Sequence, residues 1–392
     1  MTASRRLALV LGFTQMTAWA VTYYVPAVTT AAVVATLGVS TTAVLGGFSL
    51  ALLLSGICAP WMGRQIDRRG GRPVLLAGAA LQAAGLLVLA TSRGLPQWYG
   101  GWAVLGLGMS AGLYDAAFAT AGRALGVAAR PAITGITLLG GFAATLGWPM
   151  GTAMVASLGW QLTLAAYAGI VLCVNLPLYV FLVPATQPAA PAIEATAHSA
   201  PVRGQVVFVS MAAFFTVRAA IATVISVSAP ALLVGLGLGV VEAVAIAALI
   251  GPAQVGSRVI QATLGRGLNP LATTWIAALL LPVAAVALVL VVLLPGANLY
   301  AGTLVFVLGW GVSNGILTVS RGTLPLYLFG PEGYATRIGR IALPVLLAQA
   351  AAPTLMAALV SDWPAHWVFL ALGAVSLLAA GCLIPLRPQP PR

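Results

Sequence analysis

The chain has 392 residues, 61% of them hydrophobic and 6% charged, where a soluble domain carries about 25% charged residues, so a soluble globular fold is excluded. The net charge of +12 arises from 18 basic residues, every one of them Arg, against 6 acidic ones. Most of these Arg residues stand in short gaps between apolar runs, which is how a membrane distributes positive charge, so no nucleic-acid partner is expected. Cys58, Cys173 and Cys382 lie in or beside apolar segments without CxxC spacing. Neither a metal site nor a disulfide framework nor a cofactor is implied.

In chain order, apolar runs of about 20 residues, the length that crosses a hydrocarbon core of about 30 Å, predict transmembrane helices. Twelve are counted, over 7–34, 41–62, 73–91, 97–120, 132–157, 160–183, 205–233, 240–264, 271–293, 298–320, 336–360 and 364–386. Residues 1–6 are too short for the leading regions of a signal peptide, so the first run is read as a retained helix. The longest polar link, 184–204, carries Pro184, Pro188, Pro191 and Pro201 among Ala, Thr and Ser and reads as a flexible tether. It separates an N-terminal six-helix half, 1–183, from a C-terminal six-helix half, 205–392. The expected fold class is therefore an all-α membrane protein of twelve transmembrane helices in two halves. With a cytoplasmic N-terminus, Arg5, Arg6, Arg64, Arg68, Arg69, Arg72, Arg123, Arg130, Arg203, Arg258, Arg266, Arg321, Arg337, Arg340, Arg387 and Arg392 fall on or towards the inner side. Arg93 falls outside and Arg218 is left within a span, so both termini and the tether are assigned to the cytoplasm.

The densest charge is the stretch from Gly63 to Arg72, with five ionisable residues in ten: Arg64, Asp67, Arg68, Arg69 and Arg72. A bilayer core rejects such groups at about 2.5–3.5 kcal/mol each, so the stretch is expected to be a short aqueous loop between the second and third spans. Its pattern of Gly63, Asp67-Arg68, Gly70 and Arg72 resembles the signature loop between helices 2 and 3 of the major facilitator superfamily, with Gly71 where that family has a basic residue. A degenerate echo, Gly256-Ser257-Arg258 to Gly265-Arg266-Gly267, follows the eighth span about half the chain later. The resemblance implies two six-helix halves, each an inverted three-plus-three repeat, around a midplane site. It also implies that Gly63, Asp67, Arg68, Gly70 and Arg72 form a gate, with Asp67 on a helix N-terminus or an Arg of the other half.

Further short matches narrow the resemblance. Tyr23-Tyr24, Gly106-Leu107-Gly108-Met109 and Gly140-Gly141-Phe142 with Pro149 are similar to bacterial members near the oxalate/formate antiporters and monocarboxylate transporters. Gly251, Gln254 and Arg258 match the spacing of Gly, Asp and Arg in the monocarboxylate transporters, with Gln254 in place of the Asp. A bacterial inner membrane location follows from that likeness.

Several side chains stand out inside the apolar runs. Asp115 is the carboxylate deepest in a span, eight residues or about 12 Å of helix rise from Arg123, and reads either as a proton carrier or as half of a structural ion pair. Arg218 lies near the middle of span seven, where packing alone does not justify a permanent cation. Arg258 shares a helical face with Gln254 and Gln261, and either lines the pore or snorkels to the inner interface. Gln15, Trp19, Thr22, Tyr23 and Pro26 form one stripe on span one, and Trp310, Asn314, Thr318 and Arg321 another on span ten. In the family these spans line the cavity, although such residues also serve as ordinary interhelical hydrogen-bonding groups. The candidate substrate-binding set is thus Arg218, Arg258, Gln254, Asn314, Trp310, Gln15, Trp19 and Tyr23, with Asp115 for proton coupling.

Other motifs are set aside. The run from Gly106 to Ala111 spells a dinucleotide fingerprint inside an apolar helix with no preceding strand, and close helix packing explains it. His198 falls in the tether and His366 near the outer surface beside Asp362, where neither metal ligation nor catalysis is expected. No Walker motif is present. The expected activity is secondary transport by a monomer, moving a small organic anion such as a monocarboxylate by alternating access, with protons as a possible partner. A proton-coupled drug or metalloid exporter is the first alternative, and a non-transporting receptor or scaffold the second.

Overall fold

The computed structural model describes residues 3–185, 202–263, 267–360 and 363–386, with the backbone alone described at 3, 202, 203, 227 and 353–360. Most of the tether, His198, Arg266, Asp362, Arg387 and Arg392 lie outside the described residues, as does the Arg203 side chain. The described residues are helical apart from short links, and they group into two compact units, Met1–Ala195 with Phe329–Ala350, and Thr196–Leu328 with Ala351–Arg392. Among the described residues, eight helical runs are long and apolar enough to cross a membrane, the longest being Leu95–Leu182, and Ala365–Gly381 is a shorter apolar helix.

The first unit contains α1 (Ala3–Val21), α2 (Val25–Leu37), α3 (Thr41–Arg69), α4 (Gly71–Ala90), α5 (Leu95–Gly112), α6 (Tyr114–Leu125), α7 (Ala129–Gly140), α8 (Ala143–Ile170) and α9 (Leu176–Leu182). Helix α5 packs along α3 and α4, and α1 along α7 and α8. Ser40 begins α3 by accepting from the Ala43 amide at 3.2 Å, a cap that satisfies one of the open donors of the first turn. Span one is two helices, not one. Pro26 has no N–H and sits in the first turn of α2, so the ladder of α1 stops at Thr22–Tyr24 and a new helix starts. Span four is likewise divided at Leu113, which adopts an extended conformation, and span five at Gly141–Phe142. Spans five and six are in turn joined in α8 through a kink at Gly159, whose φ of 78° lies in the left-handed region that favours glycine.

The charged Gly63–Arg72 stretch is not a loop. Helix α3 runs through Arg69, α4 begins at Gly71, and Gly70 alone, with φ 82°, links them. Exposed Arg64, Arg68 and Arg69 need no irregular backbone to reach water, because a helix extended beyond the apolar run presents them directly. Gly71 opens α4 against Thr120 of α6, and a Cβ there would collide with the Thr120 side chain. The basic residue usual in the family has no room at this position.

The second unit contains α10 (Val202–Gly235), α11 (Val240–Ala248), α12 (Ile250–Thr263), α13 (Pro270–Leu293), α14 (Leu299–Phe329) and α16 (Ala365–Gly381). Helix α15 (Tyr334–Val360) begins in the first unit and ends in the second. Span eight is divided at Leu249, three residues ahead of Pro252. A core of Ile225, Leu233, Ile246, Leu281, Leu288, Phe306, Trp310 and Phe369 joins α10, α11, α13, α14 and α16, with Phe306 and Phe369 edge to face at 4.6 Å.

Candidate functional site

Residues 334–350 of α15 lie against α3 through facing glycines. A Cβ at Gly63 would collide with the Ala335 carbonyl, one at Gly339 with the Ala59 carbonyl, and one at Gly56 would meet the Leu343 carbonyl at 3.3 Å. This close approach brings Asp67 to the first turn of α15, where its Oδ2 accepts from the Thr336 amide at 2.8 Å and the Thr336 hydroxyl at 2.6 Å. The carboxylate satisfies open donors and opposes the positive end of the helix dipole. Of the other residues in the charged stretch, Gly70 makes the link to α4, Arg68 is exposed and Arg72 half-buried. Arg337, one residue beyond Thr336, turns back to the Phe329 and Gly330 carbonyls, both at 3.4 Å, and lies over the Phe329 ring at 5.3 Å.

Asp115 is not in mid-helix. It occupies the first turn of α6, immediately after the break at Leu113, and lines a small cavity with Met62, Gly63, Ser110, Ala335 and Gly339. The cavity therefore borders the glycine contact between α3 and α15. The buried Tyr334 ring lies where a side chain at Gly122 would be. Arg123 is in the last turn of the same helix.

The span-one stripe meets the break in span four. Gln15 Nε2 donates to the Gly112 carbonyl at 2.8 Å, and the Trp19 ring lies 5.0 Å from Tyr114. Trp19 also contacts Tyr23 at 4.5 Å, and the rings continue through Phe48 to Trp102 at 5.2 and 5.4 Å. Gln82, from α4, donates to the Gly108 carbonyl at 3.2 Å, so two buried glutamines serve carbonyls at the end of α5. A π-helical turn, Val171–Asn175, sets Asn175 against α1, where Thr17 donates to its Oδ1 at 2.5 Å.

In the second unit Arg218 is 3% exposed. Its Nη1 donates to Ser376 Oγ at 2.6 Å and its Nη2 to Ser313 Oγ at 2.7 Å, while its guanidinium lies over the Trp310 ring at 5.2 Å. Ser313 passes its own proton to the Ala277 carbonyl at 2.6 Å, so its lone pairs remain for Arg218. Each partner is neutral, and Nε, buried as well, has no partner among the described residues. Arg258 is 4% exposed, and its Nε makes a long 3.5 Å contact to the Gly315 carbonyl. Helix α12 approaches α14 closely there, since side chains at Gly311 and Gly315 would collide with Ala253 and Ser257. Gln254 and Asn314 are half-buried on these two helices, and Gly251 is exposed. The sequence stripe on span ten selected Trp310 but not Ser313, and nothing selected Ser376. A lone Ser in an apolar helix usually bonds its own backbone, and only the arrival of a guanidinium distinguishes these two.

Long apolar helices packed through close glycine contacts define a multi-pass membrane protein. The sequence profile of the Major Facilitator Superfamily matches residues 8–339, and the chain belongs to that family of transporters. Two solved structures share its fold. The human organic anion transporter MFSD10 (TETRAN) is 17% identical, with a TM-score of 0.67 over 98% of this chain and 100% of that one. The proton:xylose symporter XylE bound to 6-bromo-6-deoxy-D-glucose is 16% identical, with a TM-score of 0.72 over 96% of this chain and 94% of that one. No curated protein sequence matches the chain.

Proposed function

We propose that the protein moves a small organic anion, of the monocarboxylate class, across the inner membrane of a bacterium by alternating access between halves 1–183 and 205–392, with both termini in the cytoplasm. The observation that carries this reading is Arg218. A guanidinium stays ionised at any physiological pH, and this one is buried among two serines, a tryptophan ring and a spare Nε donor, with no carboxylate partner among the described residues. Burying a cation in a membrane segment without a counter-ion is costly unless an anion arrives to use it, and Arg with carboxylate is a strong, charge-assisted pair. The sequence likeness of Gly251, Gln254 and Arg258 to the monocarboxylate transporters agrees, as does the organic anion cargo named for MFSD10.

Within this reading the Asp67–Thr336 contact is the cytoplasmic gate, closed when the carboxylate caps α15 and open when α15 withdraws. Asp115, bordering the same glycine contact, is the proton carrier. A drug exporter is the second reading, favoured by the chain of rings from Trp19 to Trp102. Uptake of radiolabelled lactate and of a lipophilic cation into proteoliposomes separates the two. Lactate uptake that falls at least tenfold in Arg218→Gln supports the anion reading, and transport of the cation alone overturns it.

A further inference from the structure

Helix α3 outruns its apolar stretch, and the face it turns away from the protein changes character along its length. Leu53, Ile57, Trp61, Arg64 and Arg68 lie three or four residues apart, which gathers all five within about 80° on a helix that turns about 100° per residue. Leu53, Ile57 and Trp61 are 39%, 54% and 51% exposed, and both Arg residues are exposed as well. Buried Ser55, Ala59, Met62 and Ile66 stand on the opposite side of the helix. The heights fit one leaflet of a bilayer. From Leu53 to Arg64 the helix rises about 16 Å, half of a hydrocarbon core of about 30 Å, so Arg64 emerges at the headgroups when Leu53 lies near the midplane. Trp61, about one turn deeper, falls at the interfacial level where tryptophan is favoured, and Arg68 lies about 6 Å beyond Arg64, within a headgroup layer about 5–8 Å deep.

Charge decides which headgroup fits. The stripe contains no acidic residue, and the neighbouring Asp67 commits its Oδ2 to the Thr336 amide and hydroxyl on α15. Two guanidiniums therefore face the headgroups together. A zwitterionic headgroup brings its own ammonium towards them, whereas an anionic one brings a phosphate with no cation beside it, and a guanidinium offers that phosphate two parallel donors. We propose that this face of α3 is a binding site for an anionic phospholipid, with the phosphate at Arg64 and Arg68, the glycerol region at Trp61 and an acyl chain along Ile57 and Leu53. In the orientation proposed above, the lipid belongs to the cytoplasmic leaflet. The site is independent of the cargo and of Arg218, and rests only on α3 spanning the membrane.

The test uses the full-length protein in bilayers of equal parts phosphatidylglycerol and phosphatidylethanolamine, with bromine on the acyl chains of one lipid or of the other. Bromine quenches tryptophan emission at contact, and the emission lost in Trp61→Phe isolates Trp61 from the other tryptophans. Brominated phosphatidylglycerol is expected to quench that component with an affinity about fivefold or more above that of brominated phosphatidylethanolamine. Arg64→Gln combined with Arg68→Gln should bring the ratio to within about twofold of unity, whereas Arg64→Lys combined with Arg68→Lys, which keeps both charges, should retain most of it. Arg69→Gln, at an exposed position off the stripe, should leave it unchanged. Equal quenching by the two lipids in wild type, a preference that survives the double Gln change, or one lost as completely in the Lys pair or in Arg69→Gln overturns the site. So does an absence of quenching by either lipid, which would show that a second copy or another protein covers the stripe.

Discussion

Asp67 and Thr336 are 269 residues apart in sequence, yet one carboxylate oxygen of Asp67 takes both the backbone and the hydroxyl proton of Thr336. A helix leaves its first amides open, and a half-buried carboxylate placed there gains from both hydrogen bonding and the dipole. Asp67→Asn removes the charge and is expected to weaken this junction by about 1 kcal/mol. If the contact is the gate, cysteines placed at Ser110 and Met62 should label faster from the cytoplasmic side in Asp67→Asn than in wild type. Unchanged labelling would rule the gate assignment out.

The glycines behind that contact give a second prediction. Gly63 and Gly339 each lie where a Cβ would strike a backbone carbonyl of the facing helix, and a carbonyl cannot rotate aside as a side chain can. Gly339→Val should separate α3 from α15 and cost about 1–3 kcal/mol, the range for overpacking. A lowered thermal midpoint together with faster labelling at Ser110 is expected. A substitution at Gly381, which has nothing within 4 Å of its would-be Cβ, serves as the neutral control.

Gly71 departs from the family pattern, and the reason is local. Restoring the basic residue by Gly71→Arg should destabilise the protein, because the new Cβ overlaps Thr120, itself bonded to the Ala116 carbonyl at 2.7 Å. The paired change Thr120→Gly should recover part of the loss by vacating the space. Thermal unfolding of the two single variants and the double variant measures the coupling, and strictly additive effects would contradict the contact.

Arg218 makes a graded series possible. Arg218→Lys keeps the charge but cannot reach two serines in fixed fork geometry, so partial anion binding is expected, whereas Arg218→Gln should lose it. Ser313→Ala and Ser376→Ala each remove one neutral partner and are expected to destabilise the protein by about 1–3 kcal/mol, since a buried donor is left behind. Calorimetric titration with lactate alongside thermal unfolding separates binding from stability. Equal loss of affinity for neutral and anionic probes in Arg218→Gln would indicate a packing role.

Asp115 supplies the last prediction. Asp115 lines the small cavity beside the α3–α15 glycine contact, so movement of α15 would change its access to water. Asp115→Asn should abolish accumulation driven by a pH gradient while preserving exchange of cargo at equal pH. Gradient-driven uptake that survives the change sinks the coupling role. Loss of both activities with a lowered thermal midpoint would identify Asp115 as a structural ion-pair partner.

Composition, run length and the charged Gly63–Arg72 stretch determined the class and family of this protein, because a bilayer constrains sequence directly: a span must be apolar and long enough, whatever surrounds it. The same reasoning selected Arg218, as any cation in a span is conspicuous, and Asp67 by its motif. What the sequence did not determine is where those residues meet. The breaks at Tyr24, Leu113 and Leu249 lie inside runs whose hydropathy is continuous, and the charged stretch is a helix because a helix can pass from apolar to aqueous surroundings without ending. Ser313 and Ser376 were invisible because a serine in an apolar helix has no signature until a guanidinium reaches it. Only tertiary packing decided that Gly71 opposes Thr120, that Asp67 caps α15, and that Gln15 and Trp19 stand at a broken helix. Each of these depends on backbones approaching within a few ångströms, and no local propensity encodes that distance.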